Sequence, residues 1–317
     1  MNPSWTKLFK LYNGTVIVGK WNKNSYTIIK ELGYGANGIV YLANSNKGQV
    51  AIKFSDQSIN IASEVNVLKS FEKVQGERLG PSFLDVDDWQ GNKGMVCFYV
   101  MEYIQGPNLI DFVSQKGTVW AEVLILQLLA NLQALHANGW IFGDLKPENL
   151  IVSSSPVRLR CIDVGGTTKM NRAVKEFTEF FDRGYWKMGS RKAEVQYDLF
   201  SVAMIWINIG YPNRFACDKN NPNQLVDLVK KHPYLSKYQS VILAALQGKF
   251  TSALEMKEAI IYSKSNSPIS QTRATNKITV PSKQTSKKNK SRTLKTVSLV
   301  GVIASVYSYY LFFYLFL

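Results

Sequence analysis

The strongest constraint on this chain of 317 residues is a change of hydrophobic period part-way along it. Between residues 26 and 102, short β-type runs (27–32, 38–43, 49–54 and 95–101) alternate with one helical stretch at 61–71. From Asn108 onward the pattern is mainly helical and includes the long apolar run 121–136. A strand turns alternate side chains to opposite faces, whereas a helix repeats about every 3.6 residues, so each pattern buries a face in only one conformation. The expectation is an α+β chain with a small strand-rich lobe followed by a larger helical lobe. No internal repeat is visible.

The C-terminal part has a different character. Residues 297–317 (VSLVGVIASVYSYYLFFYLFL) carry no charge. At ~1.5 Å per residue a helix of that length spans about 30 Å, the thickness of a bilayer's hydrocarbon core. One C-terminal transmembrane helix is therefore expected, a tail anchor with nothing folded beyond it. Residues 263–296 are rich in Ser, Thr, Lys and Asn, too poor in large apolar side chains to offset chain entropy, and read as a disordered juxtamembrane linker. Nine of the Lys and Arg residues lie between Lys264 and Lys295 with no acid among them, so most of the net charge of +15 is local. Cations on the N-terminal side of the span put that side in the cytoplasm, giving a single-pass protein of the plasma membrane. The expected division is an N-terminal extension at 1–25, a folded domain at 26–262, the linker and the span. The N-terminus has no apolar run of signal-peptide length. Cys97, Cys161 and Cys217 form no CxxC pair, and His136 and His232 lie far apart, so neither a disulfide framework nor a metal cluster is expected.

Five short motifs carry chemistry. Gly33, Gly35 and Gly38 fit GxGxxGxV between two predicted strands. Such glycines let a backbone approach a polyphosphate and offer it N–H donors; alone, the motif reads better as a plain tight turn. Lys53 ends the apolar strand Val50-Ala51-Ile52, and Glu64 opens a helical pattern that could hold its extended side chain. In the segment Gly143-Asp144-Leu145-Lys146-Pro147-Glu148-Asn149-Leu150, an aspartate can accept a hydroxyl proton, a lysine two residues on can face a phosphate, and an asparagine can reach a metal. Asp163 follows in Asp163-Val164-Gly165, a hard oxygen ligand suited to Mg²⁺. All five in this order leave little room for coincidence.

With these motifs the chain resembles the eukaryotic-like (Hanks-type) protein kinases over about residues 26–262. More narrowly, it is similar to the small membrane-anchored Ser/Thr kinases of Gram-positive spore-forming bacteria, which suggests a setting in sporulation. The resemblance implies the bilobal protein-kinase-like fold, ATP and Mg²⁺ (with Mn²⁺ as an alternative ion) as cofactors, and protein Ser/Thr substrates. It implies catalytic roles for Asp144, Lys146, Lys53 and Glu64, and metal binding by Asn149 and Asp163. Nucleotide binding would fall to Gly33, Gly35, Gly38, Val40, Ala51, Lys53, Glu102, Ile104 and Ile151. Met101 would be the gatekeeper and Asp198 the helix-borne support of the catalytic loop.

Three departures stand out. Phe142-Gly143-Asp144 replaces His-Arg-Asp, removing the arginine that binds an activation-loop phosphate. Val164 replaces the phenylalanine of Asp-Phe-Gly, and Phe142 is expected to fill the space so vacated, packing with Leu68. Tyr185-Trp186-Lys187-Met188-Gly189 stands where Ala-Pro-Glu is usual, which puts that family's glutamate–arginine bridge in doubt. Thr167, Thr168 and Thr178 are candidate autophosphorylation sites, with self-association as the route. The rival to an active kinase is a pseudokinase scaffold, disfavoured because the lysine and both aspartates are present. The basic linker has two readings, contact with anionic lipid and sequence-independent DNA binding. Its lack of aromatics argues against base stacking.

Overall fold

The computed structural model describes residues 10–35, 38–72, 79–91 and 94–265. The basic linker beyond Ser265 and the expected membrane span lie outside the described residues, as do Ala36 and Asn37 of the glycine motif.

The N-terminal lobe is a six-stranded antiparallel sheet in the order β1-β2-β3-β4-β6-β5. Its strands are β1 (Val16–Val18), β2 (Ser25–Gly35), β3 (Gly38–Ser45), β4 (Gly48–Ser55), β5 (Phe83–Gly91) and β6 (Gly94–Glu102). β1 lies in the stretch read from sequence as an extension; it pairs with β2 and buries Ile17 in the sheet core. The alternation is physical: Tyr26 and Ile28 of β2 turn inward onto Ile52, Phe98 and Val100, and intervening residues face out. Helix α1 (Ser58–Glu72) crosses the other face of the sheet and buries Ile61, Val65 and Leu68.

The C-terminal lobe is helical. α2 (Leu109–Lys116) is capped by Asn108, whose side chain accepts from the Asp111 N–H at 2.9 Å, and stops at Gly117, where φ is +94°. α3 (Val119–Ala137) follows, then β7 (Trp140–Ile141), the hairpin β8 (Leu150–Ser154) and β9 (Val157–Cys161), and β10 (Thr168–Lys169) against β7. α4 (Val195–Gly210), α5 (Gln224–Lys231), α6 (Gln239–Leu246) and α7 (Ala253–Ser265) complete the lobe. α4 is buried nearly all round because it is apolar nearly all round, and Trp206 lies fully enclosed on it. Among the described residues α3 is the helix long and apolar enough to cross a membrane, by length and composition. It buries Leu124, Ile125, Leu128, Leu129 and Leu132 in the core of this lobe.

Phe142, Val164 and Leu68 are each at most 2% exposed and share one core cluster, which joins α1 to the helical lobe. This is the neighbourhood expected for Phe142 and Val164.

Candidate active site

Strand β4 delivers Lys53 into the space between the lobes, in register with Val40 on one side and Tyr99 on the other. Lys53 is only 5% exposed, and its ammonium meets both oxygens of Glu64 from α1 at 2.9 and 2.7 Å. The Tyr99 hydroxyl donates to the same carboxylate at 2.7 Å, and Asp163 Oδ1 lies 3.7 Å from the lysine. Burial pushes the Lys53 pKa down, but the carboxylates of Asp163 and Glu64 outweigh it and leave the pKa raised. For Asp163, burial favours the neutral acid, yet Lys53 and the Gly165 N–H hold its pKa below the usual carboxylate value. Its side chain is still 47% exposed, so the oxygens remain reachable from the cleft.

The second group is built on the loop after β7. Asp198, on α4 and wholly buried, accepts from the backbone N–H groups of Phe142 and Gly143 at 2.8 and 2.9 Å. His136 Nε2 lies 2.9 Å from the same carboxylate. This carboxylate sets the backbone that presents Asp144. Gly143 has φ +85°, and a Cβ there would meet the Gly166 carbonyl at 2.7 Å. The position at which the resembled family carries arginine is therefore closed to any side chain here by backbone shape and by contact.

Asp144 is 7% exposed. Lys146 binds its Oδ2 at 2.5 Å, and the Thr178 hydroxyl donates to its Oδ1 at 3.0 Å. Lys146 also reaches Thr178 at 3.3 Å. Asn149 donates its amide N–H to the Asp144 carbonyl at 3.0 Å, which turns its side-chain oxygen away from that bond. The Lys146 charge is felt at Asp163, so the two groups belong to one electrostatic site.

Above the site, β2 and β3 run in register from Gly33 opposite Val40 to Gly35 opposite Gly38. A Cβ on Gly33 or Gly35 would meet nothing within 4 Å, so the protein itself leaves that space open. Gly38 is different: φ is +142° and a Cβ would collide with the Phe54 carbonyl at 2.0 Å. Ala51 and Met101 are buried partners across β4 and β6, and Val40 packs half-buried on the same cluster. Ile104 is 9% exposed, and Ile151 lies half-buried on β8, bridged to Asn108.

Several site residues were not assigned their part from sequence. Thr178, a candidate phosphate acceptor, also ties Asp144 to Lys146; Thr167 and Thr168 are 0% and 1% exposed and do not offer hydroxyls to solvent. The Glu102 side chain accepts from Arg160 at 2.9 Å and from the Ser82 N–H at 3.1 Å, joining the end of β6 to β9. Where the glutamate–arginine bridge was in doubt, two ion pairs hold the segment: Arg183 with Glu194, and Arg191 with the fully buried Asp182 at 2.7 Å. Asp182 also accepts from the N–H groups of Gly184 and Tyr185 and from the Tyr197 hydroxyl.

A family model described as the protein kinase domain matches residues 26–288. The chain belongs to the protein kinase family. This kinase is 54% identical over 264 residues to the serine/threonine-protein kinase YabT of Bacillus subtilis, covering 82% of the chain and 78% of the relative. It is 28% identical over 242 residues to probable serine/threonine-protein kinase 2 of Plasmodium falciparum (69% of the chain, 45% of the relative). It is also 28% identical over 164 residues to a probable serine/threonine-protein kinase of Clostridium perfringens (50% of the chain, 24% of the relative).

Membership implies ATP and a divalent metal. The residues fit both. Asp163 and Asn149 offer hard oxygens of the kind such an ion takes, and the ammonium groups of Lys53 and Lys146 would supply positive charge to the phosphates. The space left open at Gly33 and Gly35 would let phosphates approach the backbone.

Proposed function

We propose that this kinase transfers the γ-phosphoryl group of ATP to serine and threonine hydroxyls of proteins. The observation that carries the reading is Asp144, held by Lys146 and Thr178 in a chain that also keeps the Lys53–Glu64 pair beside Asp163, since a nucleotide-binding scaffold without catalysis has no need of a positioned base. Lys53, fixed by Glu64, orients the phosphates under the glycine strands. Asp144, fixed by Lys146 and Thr178, orients the acceptor hydroxyl and takes its proton as the oxygen attacks. Lys146 offsets the charge that develops on the transferred group. Asn149 and Asp163 would hold a divalent ion, Mg²⁺ by the hardness of those donors and Mn²⁺ as an alternative, which would supply neutralisation of the phosphate charge. Met101 is the gatekeeper and the backbone of Glu102 and Ile104 pairs with adenine, with Val40, Ala51 and Ile151 on its faces.

The reading extends to location. The uncharged segment 297–317 anchors the kinase in the plasma membrane with its catalytic domain in the cytoplasm. The nine cations of 264–295 lie against anionic lipid or bind DNA without sequence preference, and so tie activity to one of those partners. With Gly143 in place of arginine, an activation-loop phosphate has no guanidinium at this position to order the site.

The test is phosphate transfer from radiolabelled ATP by the full chain in neutral detergent, with anionic vesicles, with duplex DNA, or with neither. Label is expected on serine or threonine, dependent on Mg²⁺ or Mn²⁺ and absent in Lys53→Ala. No transfer in any arm favours the scaffold. Stimulation in one arm identifies the partner of the linker, and equal rates in all three remove its regulatory role.

A further inference from the structure

The surface around Asp144 carries a charge pattern that speaks to the acceptor protein. Among residues 163–194 six cations are exposed, Lys169, Arg172, Lys175, Lys187, Arg191 and Lys192, against four carboxylates that are not buried, Asp163, Glu176, Glu179 and Glu194. Lys192 is brought opposite Ala173 in an antiparallel bridge, flanked by the Ala193 N–H on the Arg172 carbonyl at 2.7 Å and the Val174 N–H on the Arg191 carbonyl at 2.9 Å, so Arg172 and Lys192 lie on adjoining stretches of backbone.

The ion pairs nearest the acceptor position are not symmetric. Arg191 stacks 4.0 Å from the ring of Phe177, the residue before Thr178, whose hydroxyl binds Asp144. Its counter-ion Asp182 is wholly buried while the arginine side chain is 46% exposed, so the surface presents the cation. Arg183–Glu194 is the reverse case, with the carboxylate outermost. On the other flank, Glu148 is the single carboxylate besides Asp144 in residues 142–150. It is engaged by Arg214, whose guanidinium lies 4.8 Å over the ring of Phe181. The Glu148 carboxylate is still 55% exposed, but its charge is offset by a cation from within the chain.

A cleft lined by one sign of charge concentrates partners of the other sign and rejects its own. We propose that this site selects serine or threonine flanked by acidic side chains (aspartate, glutamate or an already phosphorylated residue), and that Arg214 enforces the choice by neutralising Glu148. The proposal rests on the catalytic reading of Asp144 and names the substrate class of that same site.

Three peptides of equal length, each with one central acceptor flanked by Asp/Glu, by Gln or by Lys/Arg, test it with the full chain. The acidic peptide is expected to exceed the basic one in kcat/KM by about tenfold, mostly through KM, and the gap should narrow as salt is raised. Arg214→Ala should lower KM for the basic peptide by freeing Glu148, and the pair Arg172→Glu with Lys192→Glu should raise KM for the acidic one. A flat or basic-preferring profile overturns the proposal, as does a ratio that neither variant moves. Loss of the peptide preference together with competition by duplex DNA would reassign the face to nucleic acid and overturn it too. If Asp144-dependent ADP formation persists while the profile is flat, only the specificity claim falls. If no acceptor is labelled at all, the catalytic reading falls and takes this inference with it.

Discussion

Asp198 and Asp163 are both needed near the junction of the lobes, yet they meet water differently. Asp198 is wholly buried with its oxygens engaged by two backbone N–H groups and His136. Asp163 has one backbone bond, a lysine at 3.7 Å and a side chain left 47% exposed. A related contrast, in the number of donors and not in exposure, separates Asp182, which takes bonds from an arginine, a tyrosine hydroxyl and two N–H groups, from the buried Asp144, which takes one bond on each oxygen, from the half-buried Lys146 and Thr178. Carboxylates saturated inside the protein hold the backbone in place; those with capacity left on the cleft side are free to handle phosphate, metal or proton. A buried charge stripped of its partners is costly, so the saturated class should report on stability and the unsaturated class on rate.

The largest expected effect is at Asp198. Asp198→Ala leaves two buried N–H groups and His136 without their acceptor and should cost about 3–5 kcal/mol, read from the urea midpoint, with phosphotransfer lost alongside. A shift under about 1 kcal/mol would erase the distinction between the two classes. A smaller effect is expected at Asp85 in the sheet, which takes bonds from Tyr26, Asn24 and Asn22 at 2.7–2.8 Å. Burial favours the protonated acid there, but those donors hold its pKa below the ordinary carboxylate value. A depressed pKa contributes stability above the unfolded value and loses it as pH falls through the folded one. Asp85→Asn should therefore cost about 1–2 kcal/mol at neutral pH, and the gap to the parent should close on acidification. A gap constant with pH would show that Asp85 acts through shape and not through charge.

Much of the candidate site was legible in the sequence because its motifs are local. Asp144, Lys146 and Asn149 fall within six residues, and Lys53 and Glu64 sit on adjacent elements whose periods mark them as strand and helix. The rest depends on pairings that no spacing reveals. Thr178 meets Asp144 across 34 residues, and Arg160 meets Glu102 across 58. Residues 185–189 depart from the resembled pattern, yet Arg183, Glu194, Asp182 and Arg191 still tie that segment down. Gly143 read only as a missing arginine; the +85° φ and the Gly166 carbonyl explain why a glycine is needed. In the fold, β1 escaped notice because three residues of strand, Val16–Val18, give too short an alternation to detect.

The most direct test compares Asp144→Asn with the parent in two assays on the same preparation, steady-state phosphotransfer and urea unfolding. The substitution keeps the side chain's shape and removes the base. The expected result is a fall in kcat of about a thousandfold with the unfolding free energy unchanged to within about 1 kcal/mol. Retention of a substantial share of kcat, or a loss matched by unfolding, would contradict the assignment of Asp144 to the unsaturated, reactive class.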